Sequence, residues 1–415
     1  MKKVFGLLVF ALLSSATYAA GFRVALQSTK QQGMGHIGAG LNVGPSNIFF
    51  NPGALALQDK GGIDVGGSAV LASNQYNLPG TTITHDLEDN VGTPVFLYGS
   101  FKLNDRLAGG LGVYTPYGNK VEWPEDWTGQ FVSELVDLKS FFIQPTLSYQ
   151  LDEKLGIGAG LIYALGIVTL ERGIPAPTPT SNDATLESDG AASGIGFNAG
   201  VFYQPTEELS FGFNYRSKVE VDAEDGLVTT SFPANTNPAI TSLFQATSFD
   251  ATLPLPTEMA LGAGWQVSDK LLLAADLNYI VWSQYEELVF NYNGDFGGPG
   301  VTTTVIPQNW EDAWTIKLGG QYAANEKLDL RLGGYLDYTP IPDFTLASIT
   351  PDADRIGITG GATYKVSDNL DVDGALLYLK GDERTVLASE NIANFGQRYD
   401  ITVLAPSLGF GYSFN

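Results

Sequence analysis

Residues 313–338 read Ala-Trp-Thr-Ile-Lys-Leu-Gly-Gly-Gln-Tyr-Ala-Ala-Asn-Glu-Lys-Leu-Asp-Leu-Arg-Leu-Gly-Gly-Tyr-Leu-Asp-Tyr. Trp314, Ile316, Leu318 and Tyr322 share one parity; Thr315, Lys317 and Gln321 share the other. After Asn325-Glu326, Leu328, Leu330, Leu332, Leu336 and Tyr338 alternate with Asp329, Arg331, Tyr335 and Asp337. Side chains alternate faces along a strand, so this is a hairpin with one greasy face and one charged face. A charge held against lipid at the bilayer midplane costs about 2–4 kcal/mol, so the charged parity must point into a lumen.

The same period-two pattern recurs along the chain in pieces of the length that a tilted strand needs to cross a membrane. Fourteen stretches carry it: 61–73, 92–102, 106–115, 138–150, 156–171, 190–204, 208–222, 256–267, 270–286, 311–323, 327–339, 354–365, 369–380 and 401–413. Their connections alternate in length. Short turns such as Leu103-Asn104-Asp105, Pro205-Thr206-Glu207 and Ser268-Asp269 are rich in turn formers. Long loops occupy 74–91, 116–137, 172–189, 223–255, 287–310, 340–353 and 381–400. Short turns on one side and long loops on the other are the habit of an antiparallel transmembrane β-barrel. An even strand count closes it without a free edge, as lipid requires. Tyr98, Tyr163 and Tyr279, near strand ends, read as interface anchors or as ordinary wall packing.

The rest of the composition agrees. Met1-Lys2-Lys3, the apolar run Val4 to Leu13 and Ser14 to Ala19 form a secretory signal peptide over 1–19. No later segment approaches 18 consecutive apolar residues, so spanning helices are excluded. These features predict the outer membrane of a Gram-negative bacterium. Glycine, 49 of 415 residues, is about 12% against a usual ~7%. A net charge of −23 with only 22 Lys and Arg speaks against nucleic-acid binding. Cysteine is absent. His36 and His85 lack metal-ligand spacing, no serine sits in a nucleophile elbow, and no phosphate-binding Gly-x-x-x-x-Gly-Lys-Ser/Thr run occurs. The expectation is a chain that is not an enzyme and carries no cofactor.

Residues 20–60 stand outside the ladder. They contain Gly33, Gly35, Gly38, Gly40 and Gly44 without two-face alternation. Fourteen strands enclose a lumen too wide for wall side chains to fill. The segment therefore reads as an N-terminal hatch inside a barrel formed by 61–415. The outer loops carry apolar residues that need a reason. Loop 116–137 holds Trp123, Trp127, Phe131 and Leu135, with Gln130 to Leu138 reading as an amphipathic helix. Loop 223–255 holds Leu243 and Phe244, with a short helix expected from Pro238. Either the loops pack against one another, or they form a groove that captures a greasy ligand. Arg216, Lys218, Lys317, Arg331 and Arg355 are candidate lumen cations. They serve either to pair with inward acids such as Asp276, Asp329 and Asp337, or to hold a ligand carboxylate.

Several stretches, taken in order, resemble one family. They are Ala20-Gly21-Phe22-Arg23, then Gly33-Met34-Gly35-His36-Ile37-Gly38-Ala39-Gly40, then Asn51-Pro52-Gly53-Ala54-Leu55. Leu253-Pro254-Leu255-Pro256, Trp282-Ser283, Tyr338-Thr339-Pro340 and Pro351-Asp352-Ala353-Asp354-Arg355 follow. The chain is similar to the FadL/TodX outer-membrane transporters of long-chain fatty acids and other hydrophobic compounds. Gly53-Ala54 exchanges the order that the family shows after Asn-Pro. The resemblance implies a monomeric fourteen-stranded barrel with a hatch. It implies capture of a fatty acid, hydrocarbon or detergent-like ligand by outer loops and transfer to a pocket beside the hatch N-terminus. Exit would run sideways near a strand kink, amid outer-membrane lipid and lipopolysaccharide. Candidate binding residues are Phe22, Val24, Trp123, Phe131, Leu135, Leu243, Phe244, Lys317 and Arg331. Asn51 and Pro52 would fix the hatch to the wall. The competing reading is a general or polar-solute porin with an open lumen.

Overall fold

The computed structural model describes residues 21–125, 127–176 and 183–414. The expected signal peptide, 1–19, lies outside them. Fourteen strands span the membrane. In chain order they are β1 (Gly62–Ser68, continued by Val70–Asn77), β2 (Val95–Lys102), β3 (Leu107–Tyr114, continued by Gly118–Glu122) and β4 (Leu135–Gln150). Next come β5 (Leu155–Pro175), β6 (Asp183–Tyr203), β7 (Leu209–Arg216, continued by Val219–Ser231) and β8 (Ser248–Leu255, continued by Thr257–Ser268). The last six are β9 (Leu271–Val281), β10 (Ala313–Asn325), β11 (Leu328–Asp337), β12 (Arg355–Lys365), β13 (Leu370–Gly381) and β14 (Gln397–Ser413). Each pairs antiparallel with its sequence neighbours, and β14 returns to β1 with Gly62 opposite Ser413. The sheet closes on itself, so no row of backbone donors faces lipid.

The two faces sort as the alternation predicts. Leu318 and Leu332 are 64% and 68% exposed on the outer wall, whereas Thr315, Lys317 and Asp337 are buried within. The turns close for a local reason. Asn104 Oδ1 accepts from the N–H groups of Arg106 and Leu107, and Asp152 Oδ1 from those of Lys154 and Leu155. A short side-chain acceptor thus replaces the missing ladder bonds at each reversal.

Three expectations need correction. Tyr98 is fully buried in the lumen beside Tyr114 and is no interface anchor, because it shares the inward parity of Phe96. Gln130 to Leu138 is not a helix: residues 128–132 turn, and Leu135 already opens β4, paired with Glu171. The stretch 172–189 is not all loop, since β5 and β6 run on as a paired ribbon to Pro175 and Asp183. The expected helix at Pro238 is present as a single turn, Pro238–Thr241.

Residues 21–61 fill the lumen. A helical turn at Thr29–Gln32, another at Asn47–Phe50 and a 3-10 stretch at Pro52–Leu57 are joined by tight bends. The hatch lies backbone to backbone on the wall. A Cβ added to Gly212 would overlap the Ala39 carbonyl oxygen, and one on Gly156 would overlap that of Gly53. Wall glycines thus act as seats where no side chain fits. Asn51 links both parts: its Nδ2 donates to Ala39 O (2.7 Å) in the hatch and to Val201 O (3.0 Å) in β6. Pro52 follows directly and opens the 3-10 stretch.

Candidate functional site

The site begins where β3 breaks. Three residues of β3, 115–117, stand against two of β4, 140–141, between the pairs Tyr114–Phe142 and Gly118–Lys139. Pro116 has no N–H to give the ladder, so the strand bulges inward. The hatch N-terminus takes up the freed groups. Val24 N donates to Pro116 O (2.7 Å), Gly118 N donates to Phe22 O (2.9 Å), and Arg23 bridges Tyr117 antiparallel. Residues 22–24 therefore form a short inner strand against the bulge.

Phe22 points into an aromatic cluster. Its ring lies 4.9 Å from Trp282, 5.5 Å from Trp310, and 6.0 Å from both Tyr285 and Tyr117. Above this floor lies a cavity of about 120 Å³. Its walls include Val136, Leu138, Ala164, Val168, Leu170, Val221, Phe249 and Phe290, from several strands. Among the described residues no acidic or basic side chain lines it. Three of its polar groups are already engaged: Asn119 Nδ2 donates to Ile349 O, Ser140 Oγ to Tyr117 O, and Gln308 Oε1 accepts from Trp310 Nε1. Such a cavity favours apolar matter, by about 25 cal/mol for each Å² it buries.

Two residues beyond Leu170 on the same face of β5 stands Arg172, opposite the buried Leu186. Arg172 is partly buried and lies close enough to Tyr292 to interact electrostatically. Among the described residues its side chain has no ion pair and no hydrogen bond. The sequence reading passed over it. The signal was available, since its parity matches Leu170 and sets it apart from the outward Glu171.

Below Phe22 the lumen is charged and closed. Arg23 Nη2 donates to Thr315 Oγ1 (3.0 Å) and lies 3.8 Å from Asp337; its Nη1 lies 3.7 Å from Glu258. Arg355 Nη2 is 3.0 Å from Asp352 and 3.7 Å from Asp337. Lys317 donates to His36 O (3.1 Å) and faces Asp276 across the β9–β10 ladder. Arg216 donates to Phe49 O and covers the Phe49 ring at 4.1 Å. Burial first, then the Lys317 and Arg23 charges, push the His36 imidazole down to about 3.

The remaining sequence candidates are scattered. Val24 sits under Phe22 in the core, against a smaller cavity that Lys317 also lines. Trp123 stacks on Trp127 at 4.6 Å and donates to Ser348 O (3.1 Å), inside a cap of outer loops with Tyr76 and Tyr399. Phe131 is exposed, and Leu135 is half-buried at the outer end of β4. Leu243 and Phe244 lie in another outer patch, where Phe244 meets Phe232 and Phe296. Arg331 bonds Gln321 and Thr363 and approaches Asp373, away from the cavity.

A closed barrel, a hatch seated on wall glycines, and an apolar cavity roofing the hatch N-terminus now stand together. Residues 10–415 match the model for "Outer membrane protein transport protein (OMPP1/FadL/TodX)". The chain belongs to this family. It is 29% identical to outer membrane protein P1 of Haemophilus influenzae, over 90% of this chain and 89% of the relative. It is 23% identical to the long-chain fatty acid transport protein of Escherichia coli O6:H1, over 97% and 96%. The crystal structure of a Pseudomonas aeruginosa FadL homologue superposes with a TM-score of 0.82 at 22% identity, covering 95% of this chain and all of that one. As a FadL/TodX-family protein it is an outer-membrane transporter and not an enzyme. The filled lumen excludes the open polar porin that the sequence left as a rival.

Proposed function

We propose that this FadL/TodX-family barrel passively imports fatty-acid-like amphiphiles, holding the tail in the cavity above Phe22 and the carboxylate against Arg172. The observation that carries this reading is a cavity that no charged described residue lines, with the Arg172 guanidinium, which has no ion pair among the described residues, two positions beyond Leu170 at its outer end. Arg216, Lys317, Arg331 and Arg355 have partners below Phe22, and Lys218 pairs with the exposed Glu220, so they offer a head group little. Arg172 offers the fork that a carboxylate fits. Loss of one charge-assisted hydrogen bond of about 1.5–3 kcal/mol corresponds to roughly tenfold to a hundredfold in affinity. The charged lower lumen is a poor path for an alkyl tail. The β3 bulge beside the cavity is where we place a sideways exit into lipid.

The test is uptake of labelled palmitate by cells that depend on this protein. Arg172→Ala lowers palmitate uptake about tenfold or more, with a much smaller effect on dodecane, which has no head group. Equal palmitate uptake by the variant and the parent, at equal amounts of folded barrel, would sink the head-group assignment.

A further inference from the structure

Beneath Phe22 the hatch does not touch the wall everywhere. A second cavity, of about 30 Å³, lies between them. The wall presents Asn214, Ala260 and Asn278 to it as one cross-strand row on β7, β8 and β9. The hatch contributes Arg23 and His36. Among the described residues, seven buried side-chain atoms of its lining complete no hydrogen bond: Arg23 Nε, both ring nitrogens of His36, Asn214 Oδ1, Arg216 Nε, Asp276 Oδ1 and Asn278 Oδ1. All six residues are more than nine-tenths buried. His36 feels the Ala25 carbonyl and Asp276 feels the Gly40 N–H, but neither contact meets hydrogen-bond geometry at these atoms. We propose that this cavity is a hydration site built into the hatch–wall contact, holding two waters that seal the lumen without adding charge.

Buried polar atoms in folded proteins have partners, and seven left bare together would cost an amount that rivals the net stability of a whole domain. The space sets how many waters can answer them. A buried water needs about 10–15 Å³ of such room and makes about three hydrogen bonds, so the cavity holds two. The demand matches. A neutral imidazole offers one donor and one acceptor, so the seven atoms amount to three donors and four acceptors. Two waters supply four O–H groups and four lone pairs, enough for every one. The charges argue against an ion. Arg23, Arg216 and Lys317 line the cavity with Glu258 and Asp276, and Asp337 lies 3.8 Å from Arg23 on its far side. Three cations thus meet three acids, and no surplus charge calls for a counter-ion. Water also tolerates either orientation of the Asn214 and Asn278 amides, since it gives and accepts equally. An ion entering from solution would give up its hydration shell for a site with no net charge to offer, so the wet gap remains a seal.

The first test is diffraction from crystals of the full chain, untreated and soaked in bromide. Two water peaks are expected in the cavity, each bonded to about three of the seven atoms, with no anomalous bromide signal between them. A bromide peak there, or a cavity without density, overturns the proposal. The second test is made in solution, on the barrel in lipid nanodiscs. An X-ray pulse turns bound water into hydroxyl radical, which attacks the side chains beside it. His36 should be oxidised in spite of its burial. Ala260→Val adds two methyl groups at the middle of the wall row, where they take the place of water. It should lower His36 oxidation several-fold while the heat-modifiable gel shift shows the barrel still folded. Equal oxidation of His36 in parent and Ala260→Val would overturn the proposal as well.

Discussion

Replacing Asp276 by Ala should free the hatch from its wall without opening the barrel. Asp276 Oδ2 accepts the N–H groups of Gly38 (2.8 Å) and Ala39 (3.0 Å), so one β9 carboxylate fastens the hatch bend. Hydrogen bonds to a charged group are worth about 1.5–3 kcal/mol each, which puts the pair at roughly 3–6 kcal/mol. The substitution also strips Lys317 of its cross-strand acid, and a buried charge left without its partner adds a penalty of its own. Taking only the low end, about 3 kcal/mol, local opening of the bend rises by about two orders of magnitude. Hydrogen exchange on a peptide covering residues 33–41 reads this directly. A heat-modifiable gel shift confirms that the barrel is closed, and planar-bilayer conductance reports whether the loosened hatch admits ions. Asp276→Asn, which keeps an uncharged acceptor, should fall between parent and Ala. Unchanged exchange over 33–41 in folded Asp276→Ala would refute the idea that this carboxylate holds the hatch.

Three further outcomes are expected. Ala164→Trp fills the 120 Å³ cavity from β5 and should abolish palmitate uptake while the gel shift persists; uptake at the parental rate would place the cargo elsewhere. Trp123→Ala removes the stack on Trp127 and the bond to Ser348 O, a core truncation of about 3–5 kcal/mol. It should lower the melting temperature and expose outer loops to protease, with fluorescence quenching by palmitate retained. His36→Gln should flatten the acid dependence of stability. The folded imidazole resists protonation down to about pH 3, whereas the unfolded one takes up a proton near 6.5. The parent therefore loses stability as pH falls from about 6.5 towards 3, because the unfolded chain binds the extra proton. Melting curves at neutral and acid pH compare the slopes.

What could be read from the sequence was whatever depends on neighbours in the chain. The parity of Trp314 to Asp337 fixed which faces meet lipid, and Asn104 and Asp152 marked reversals because their side chains cap the turn within three residues. What could not be read was choice among distant partners. Trp123 and Leu243 look alike as greasy loop residues, yet Trp123 is walled in by Tyr76 and Tyr399 from two other parts of the chain, whereas Leu243 is only half-buried. Strand ends were hidden for a related reason. The outer halves of β5 and β6 pair with each other above the membrane, where polar residues such as Glu171 and Glu187 break the greasy alternation. The lumen cations were the sharpest case. Parity alone put Lys317 and Arg331 inward but could not say that acids and hatch carbonyls already occupy them. Arg172 shares that inward parity, and what distinguishes it is that, among the described residues, its guanidinium forms no ion pair. A binding cation in a barrel is defined less by pointing inward than by what the facing strands leave unpaired. That subtraction needs the closed register of all fourteen strands.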